Sequence, residues 1–163
     1  MKKLRLLLTI SAAAVLQFSL LAQNSITETF GTAGDGTSIQ DHQLANGFDN
    51  DDLIFGGGNA FFYNTTPDGS SGTYLRFGNN GVLTISGFEP NAPCDRVKVQ
   101  FRVRRNNVAG ALDVTVTGDG IQTKSVNFSG TGVWQSETLN FNMIDPSGSL
   151  IIIFEEVGSG RIL

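Results

Sequence analysis

The sequence predicts an all-β protein: a β-sandwich of jelly-roll type, made of two antiparallel sheets and preceded by a signal peptide. Three observations predict it. The first is strict period-two alternation in the stretch Arg96–Gly118, RVKVQFRVRRNNVAGALDVTVTG. Val97, Val99, Phe101 and Val103 point one way; Lys98, Gln100, Arg102 and Arg104 point the other. After a break at Asn106–Gly110 the alternation resumes with Leu112, Val114 and Val116, so the stretch reads as a β-hairpin with one buried and one wet face. The second is punctuation: 20 glycines divide the chain into roughly nine or ten short strands at spacings of about 8 to 12 residues. The third is that no segment after residue 22 carries a 3.6-residue apolar period with caps.

The first 22 residues stand apart. Lys2, Lys3 and Arg5 make a positive start, Leu6–Leu21 is mostly apolar, and Ala22 is a small residue at its end. That is the pattern of a secretory signal peptide cut after Ala22, which divides the chain into a leader, 1–22, and one domain, 23–163. An apolar run of about 16 residues is short of the roughly 20 a membrane span needs, so no span is expected after processing.

Within the domain, Ser25–Phe30 (SITETF) reads as a first strand and the Gly-rich Gly31–Gly47 as a loop. A short apolar strand, Leu53–Phe55, follows the acidic Asp49-Asn50-Asp51-Asp52 and is closed by Gly56-Gly57-Gly58. Ala60–Tyr63 brings three aromatics, and Thr66–Gly72 is a turn in which Pro67 presets φ and Asp68-Gly69 tolerates left-handed geometry. Thr73–Gly78 and Gly81–Gly87 read as a hairpin around Asn79-Asn80-Gly81. Beyond the central stretch, Gly118-Asp119-Gly120 turns into a strand at Ile121–Ser129, and Val133–Asn142 is another. Pro146-Ser147-Gly148 leads to Ser149–Val157, whose unbroken apolar run Leu150–Phe154 marks a strand covered on both faces or central in its sheet. Arg161-Ile162-Leu163 looks like the start of a further strand, as in a piece of a longer gene product.

Charge narrows the function. The chain has 11 Lys+Arg and 15 Asp+Glu, a net of −4. Removing 1–22 leaves 8 of the 11 basic residues against all 15 acidic ones, a net of −7. An acidic surface excludes nucleic acid as a partner, since that binding is driven by basic residues on phosphates. Cys94 is the only cysteine, so no internal disulfide forms, and with no basic or His neighbour in sequence it reads as apolar filler. His42 is the only histidine. There is no GxSxG, HExxH or Walker motif, so the domain reads as non-catalytic. A small secreted glycoside hydrolase, with His42 or Glu137 in the site, is the rival class.

The order YLRFG, GVLTISGF, VKVQFRVRR, LDVTVTGDG, SGTGVWQSETLNF, LIIIFEEVGSGRIL resembles the secreted jelly-roll domains of Bacteroidetes surface proteins. These are similar in outline to galactose-binding-like and carbohydrate-binding modules. The resemblance covers most of the domain, SITETF included, and implies a binding module beside other modules of a larger exported protein, at the cell surface or secreted through the Sec pathway. In that pattern the closing strand continues into an Asp-rich ending, beyond where this chain stops.

Two sets of candidate site residues emerge. Closely spaced acids on a loop suit calcium, which takes six to eight oxygen ligands. Asp49, Asp51 and Asp52 supply them, though Leu53 stands where an EF-hand needs a ligand. The resemblance implies an acid on the first strand as a further ligand of a structural calcium, and Glu28 fits that role. The plain alternative is a solvated acidic loop. The second set is aromatic: Tyr63, with Asn64 beside it and Phe62 before it, is the expected glycan-binding platform, because sugar C–H faces stack on rings that also carry a polar handle. Phe61 and Phe62 cannot both face the core of a regular strand, and Trp134 reads as core. The basic row Lys98, Arg102, Arg104, Arg105 suits acidic sugars or sulfate, but reads first as a solvated face paired with acids such as Asp113. A spacer or adhesion domain without a small-molecule site is the alternative to glycan binding.

Overall fold

The computed structural model describes residues 16–20, 25–65, 71–88, 96–105, 110–118, 120–128, 132–142, 149–158 and 162. Its strands are β1 (Leu16–Leu20), β2 (Ser25–Glu28), β3 (Thr37–Ser38), β4 (Ile54–Thr65), β5 (Ser71–Phe88), β6 (Arg96–Arg104), β7 (Gly110–Gly118), β8 (Gly120–Val126), β9 (Trp134–Asn142) and β10 (Leu150–Gly158), with one helix, α1 (Ile39–Leu44). They form two antiparallel sheets, β2-β1-β6-β9 and β3-β4-β5-β10-β7-β8. The β-sandwich read from the alternation is therefore present.

The alternation of β6 and β7 is faithful to the expectation: Val97, Val99, Phe101, Val103, Leu112, Val114 and Val116 are all buried. Their partnership is not. β6 pairs with β1 and β9 in one sheet, and β7 pairs with β10 and β8 in the other. The stretch is a crossing between sheets, not a hairpin. Alternation specifies which face is buried, and two strands can bury matching faces across a sandwich as well as side by side. Phe101 of β6 meets Phe154 of β10 edge to face across the interior, ring centroids 5.3 Å apart.

The Asn79-Asn80-Gly81 hairpin is also corrected: β5 runs unbroken past it. Gly58 pairs with Val82 and Ala60 with Phe77, so the Asn-rich turn chemistry makes a bulge. Asn80 there has φ 55°, and its N–H donates to the buried Glu156 at 2.7 Å. The three glycines at 56–58 do not end their strand, since β4 continues through them to Thr65. Gly57, at φ 131°, lies where a Cβ would strike the Val82 carbonyl, which is why the strand needs glycine there.

The loop expected at 31–47 holds α1. Ser38 caps it: its hydroxyl accepts from the Asp41 N–H at 3.0 Å. Six residues are too few for a visible apolar period, so only the cap, Ser38 with Asp41 three on, signals it in sequence. β10 lies between β5 and β7, as its apolar run predicts. Strand β1 falls inside the expected leader, between β2 and β6. The turns at 66–70, 106–109 and 146–148, the remaining leader residues and Cys94 lie outside the described residues. No helix among the described residues is long and apolar enough to cross a membrane.

Candidate functional site

The acidic set divides. Glu28 ends β2 and is fully buried. Its Oε1 accepts from Phe30 N–H at 2.9 Å and Asp49 N–H at 2.9 Å. Its Oε2 accepts from Asp49 N–H at 3.1 Å and Asn50 Nδ2 at 2.9 Å. Asp49 answers by accepting from Thr29 N–H at 2.9 Å and from the Thr29 hydroxyl. Asp51 and Asp52 are exposed in the following turn. No group of three or more His, Cys, Asp or Glu side chains is gathered among the described residues. Of the four acids expected around calcium, Glu28 and Asp49 come together, and Glu28 already holds N–H donors on both oxygens. Burial pushes its carboxyl above the ordinary value of 4.5, partly offset by those donors.

This clasp secures a strained corner. Phe30 has φ 59° and Gly31 φ 51°, and a bulky residue in left-handed geometry is uncommon. Glu28 holds the Phe30 N–H, and His42 Nε2–H donates to the Phe30 carbonyl at 2.9 Å. His42 is 2% exposed and packs against the rings of Phe48 and Phe62, a structural place away from solvent. Glu137, half-buried on β9, accepts from Gln135 Nε2 at 2.7 Å.

The aromatic set also divides. Phe62 is 0% exposed and belongs to the core, which removes it from the expected glycan-binding set. Its partner in register is core Leu75, so strand alternation turns Phe62 inward and Phe61 and Tyr63 outward. Phe61 and Tyr63 are half-buried. Asn64 is tied down beside Tyr63: its N–H donates to Asp35 Oδ1 at 2.7 Å, and its Oδ1 accepts from the Thr73 hydroxyl at 3.5 Å.

Tyr63 has company that the sequence does not advertise. It pairs in register with Tyr74 of β5, ring centroids 5.8 Å apart and 26° from parallel. The Arg76 guanidinium lies 3.8 Å over the Tyr63 centroid and bonds its hydroxyl. Tyr74, 3% exposed, also packs against half-buried Trp134 of β9, and this trio is separate from the main core. Arg102 of β6 lies over the Trp134 ring at 5.6 Å, and Arg104 is the cross-strand partner of Trp134. Trp134 is therefore outside the main core, contrary to the sequence expectation.

One residue explains how two sheets share this row. Ile162 bridges Phe77 of β5 on one side and Arg105, next to β6, on the other, with Phe77 N–H donating to its carbonyl at 2.8 Å. The outward faces of β4–β5 and β6–β9 are thereby brought alongside each other. The order of contacts is Arg76, Tyr63, Tyr74, Trp134, Arg102. The basic row does not pair with Asp113, which sits in the other sheet and accepts from Ser125.

No protein-family model matches the chain, and no curated protein matches it. Among solved structures it is similar to a carbohydrate-binding module, TmCBM61, determined in complex with β-1,4-galactotriose. The identity is 15%, the match covers 68% of this chain and 81% of that one, and the TM-score is 0.45.

Proposed function

We propose that this protein is a non-catalytic glycan-binding module, exported on residues 1–22 and acting outside the cell beside neighbouring modules. The observation that supports the reading is the row of Tyr63, Tyr74 and Trp134, standing outside the main core on the outward faces of two sheets. Large aromatics normally serve packing inside a sandwich. A separate set that includes half-buried rings offers the flat, part-apolar surface on which a sugar ring lays its C–H face. Tyr74 is the buried support packed against both; Tyr63 and Trp134 present the working edges. Asn64 and Asp35 add amide and carboxylate groups next to Tyr63 for sugar hydroxyls.

The test is retardation of the purified protein in native gels cast with a panel of soluble polysaccharides. At least one polymer is expected to retain it, and Trp134→Ala is expected to release it while the melting temperature stays within a few degrees. Free migration on every polymer sinks the reading in favour of a spacer or adhesion domain.

A further inference from the structure

We infer that the glycan carries anionic groups, carboxylates or sulfates, that seat at Arg76 and at Arg102, one at each end of the aromatic row. The inference rests on the glycan-binding reading and names the class of sugar. It comes from where an acidic chain puts its few cations. Residues 23–163 hold 8 basic side chains against 15 acidic ones. Arg76, Arg102 and Arg104 all lie on or beside the row, although β5 and β6 belong to different sheets. Each end of the row is an arginine stacked on a ring: Arg76 over Tyr63 at 3.8 Å and Arg102 over Trp134 at 5.6 Å.

Neither Arg76 nor Arg102 is ion-paired to a carboxylate among the described residues. Arg76 pairs in register with Phe61, and Arg102 with Ser136. Stacking on a ring leaves the edge of a guanidinium free to donate, and its planar fork matches the two oxygens of a carboxylate or sulfate.

A second observation points the same way. Trp134 Nε1 and Arg105 Nε are shielded from solvent and have no hydrogen-bond acceptor among the described residues. Buried donors of this kind are rare. The end of the sandwich around Trp134 is thus rich in donors and arginine, inside a protein whose net charge is negative. An oxyanion on a sugar supplies the negative partner that Arg76 and Arg102 lack among the described residues, while the ring that carries it lies beside Tyr63 or Trp134.

The test uses native gels cast with a neutral galactan, a polygalacturonate, a sulfated galactan and a polyglutamate, each at low and high salt. Retention is expected on at least one charged polysaccharide, at least about tenfold above the neutral one, and falling as salt rises. Which charged polymer retains the protein separates carboxylate from sulfate. Arg76→Gln and Arg102→Gln are each expected to lose about tenfold on that polymer, since a hydrogen bond to a charged group is worth about that much. Both are half-buried, and melting curves confirm that each variant is folded. Equal retention on neutral and charged polysaccharides overturns the inference but leaves glycan binding standing. So does charged-polymer retention that neither folded variant alters. Equal retention on polyglutamate shows a general polyanion surface and overturns the sugar part. No retention on any polymer overturns both readings together.

Discussion

Glu28 and Asp49 each hold the other's end of the chain. The Glu28 carboxylate accepts the Asp49 N–H, and the Asp49 carboxylate accepts the N–H of Thr29, the residue after Glu28. Twenty residues, including α1, are gathered between these two points. The clasp sets the left-handed Phe30 corner, and with it the path of 31–37 alongside β4, where Gly36 N–H donates to the Phe62 carbonyl at 2.8 Å.

The clasp titrates. Burial raises the Glu28 carboxyl above 4.5, so the folded chain keeps a proton there after the unfolded chain has lost it. This group therefore stabilises the fold most below the unfolded value. Its contribution is lost as pH rises from 4.5 through the raised folded value. Glu28→Gln has no such proton. Across that window the wild type is expected to lose stability relative to the variant as pH rises, measured by urea unfolding at a series of pH values. The opposite slope would mean that the N–H donors, not burial, dominate.

Gly47 is the floor under His42. A Cβ there strikes the imidazole ring, which cannot swing away without breaking its bond to the Phe30 carbonyl. Gly47→Ala is expected to destabilise by about 1–3 kcal/mol, the range for overpacking. Thermal melts check this. A neutral result would show that the ring has room to move.

Phe62 and Tyr63 are neighbours with opposite roles. Phe62→Ala empties a fully buried site and is expected to cost about 3–5 kcal/mol. Tyr63→Ala removes a half-buried outward ring, so the same melts should move by much less, while polysaccharide retention drops. Reversed results would exchange the two assignments.

Residues 16–20 belong both to the expected leader and to β1. Export is expected to yield a product whose N-terminal sequence starts at Gln23. That product lacks the strand that pairs with Val97–Gln100, so it should melt below the unprocessed chain, by about 3 °C for each kcal/mol lost in a chain of this size. An exported product that still begins at Met1 removes the leader. Equal melting temperatures mean that β1 contributes nothing to sheet stability.

By itself, the sequence determined which faces are buried. Period-two alternation in β6, β7 and β9 and the apolar run of β10 carry that information locally, because each side chain's face follows from its neighbours along the same strand. The acids at 28 and 49 and the aromatic at 63 were visible for the same reason: their chemistry is in the residue type. What only the tertiary structure decided is who meets whom. Alternation is blind to partners, so β6 and β7 looked like a hairpin and are in different sheets. Bulges and short capped turns of helix leave almost no periodic trace, so β5 looked like two strands and α1 like loop. The row from Arg76 to Arg102 draws on β4, β5, β6 and β9, joined among the described residues through Ile162. No local pattern encodes it, since its members are neighbours only after two sheets have packed and one corner has closed.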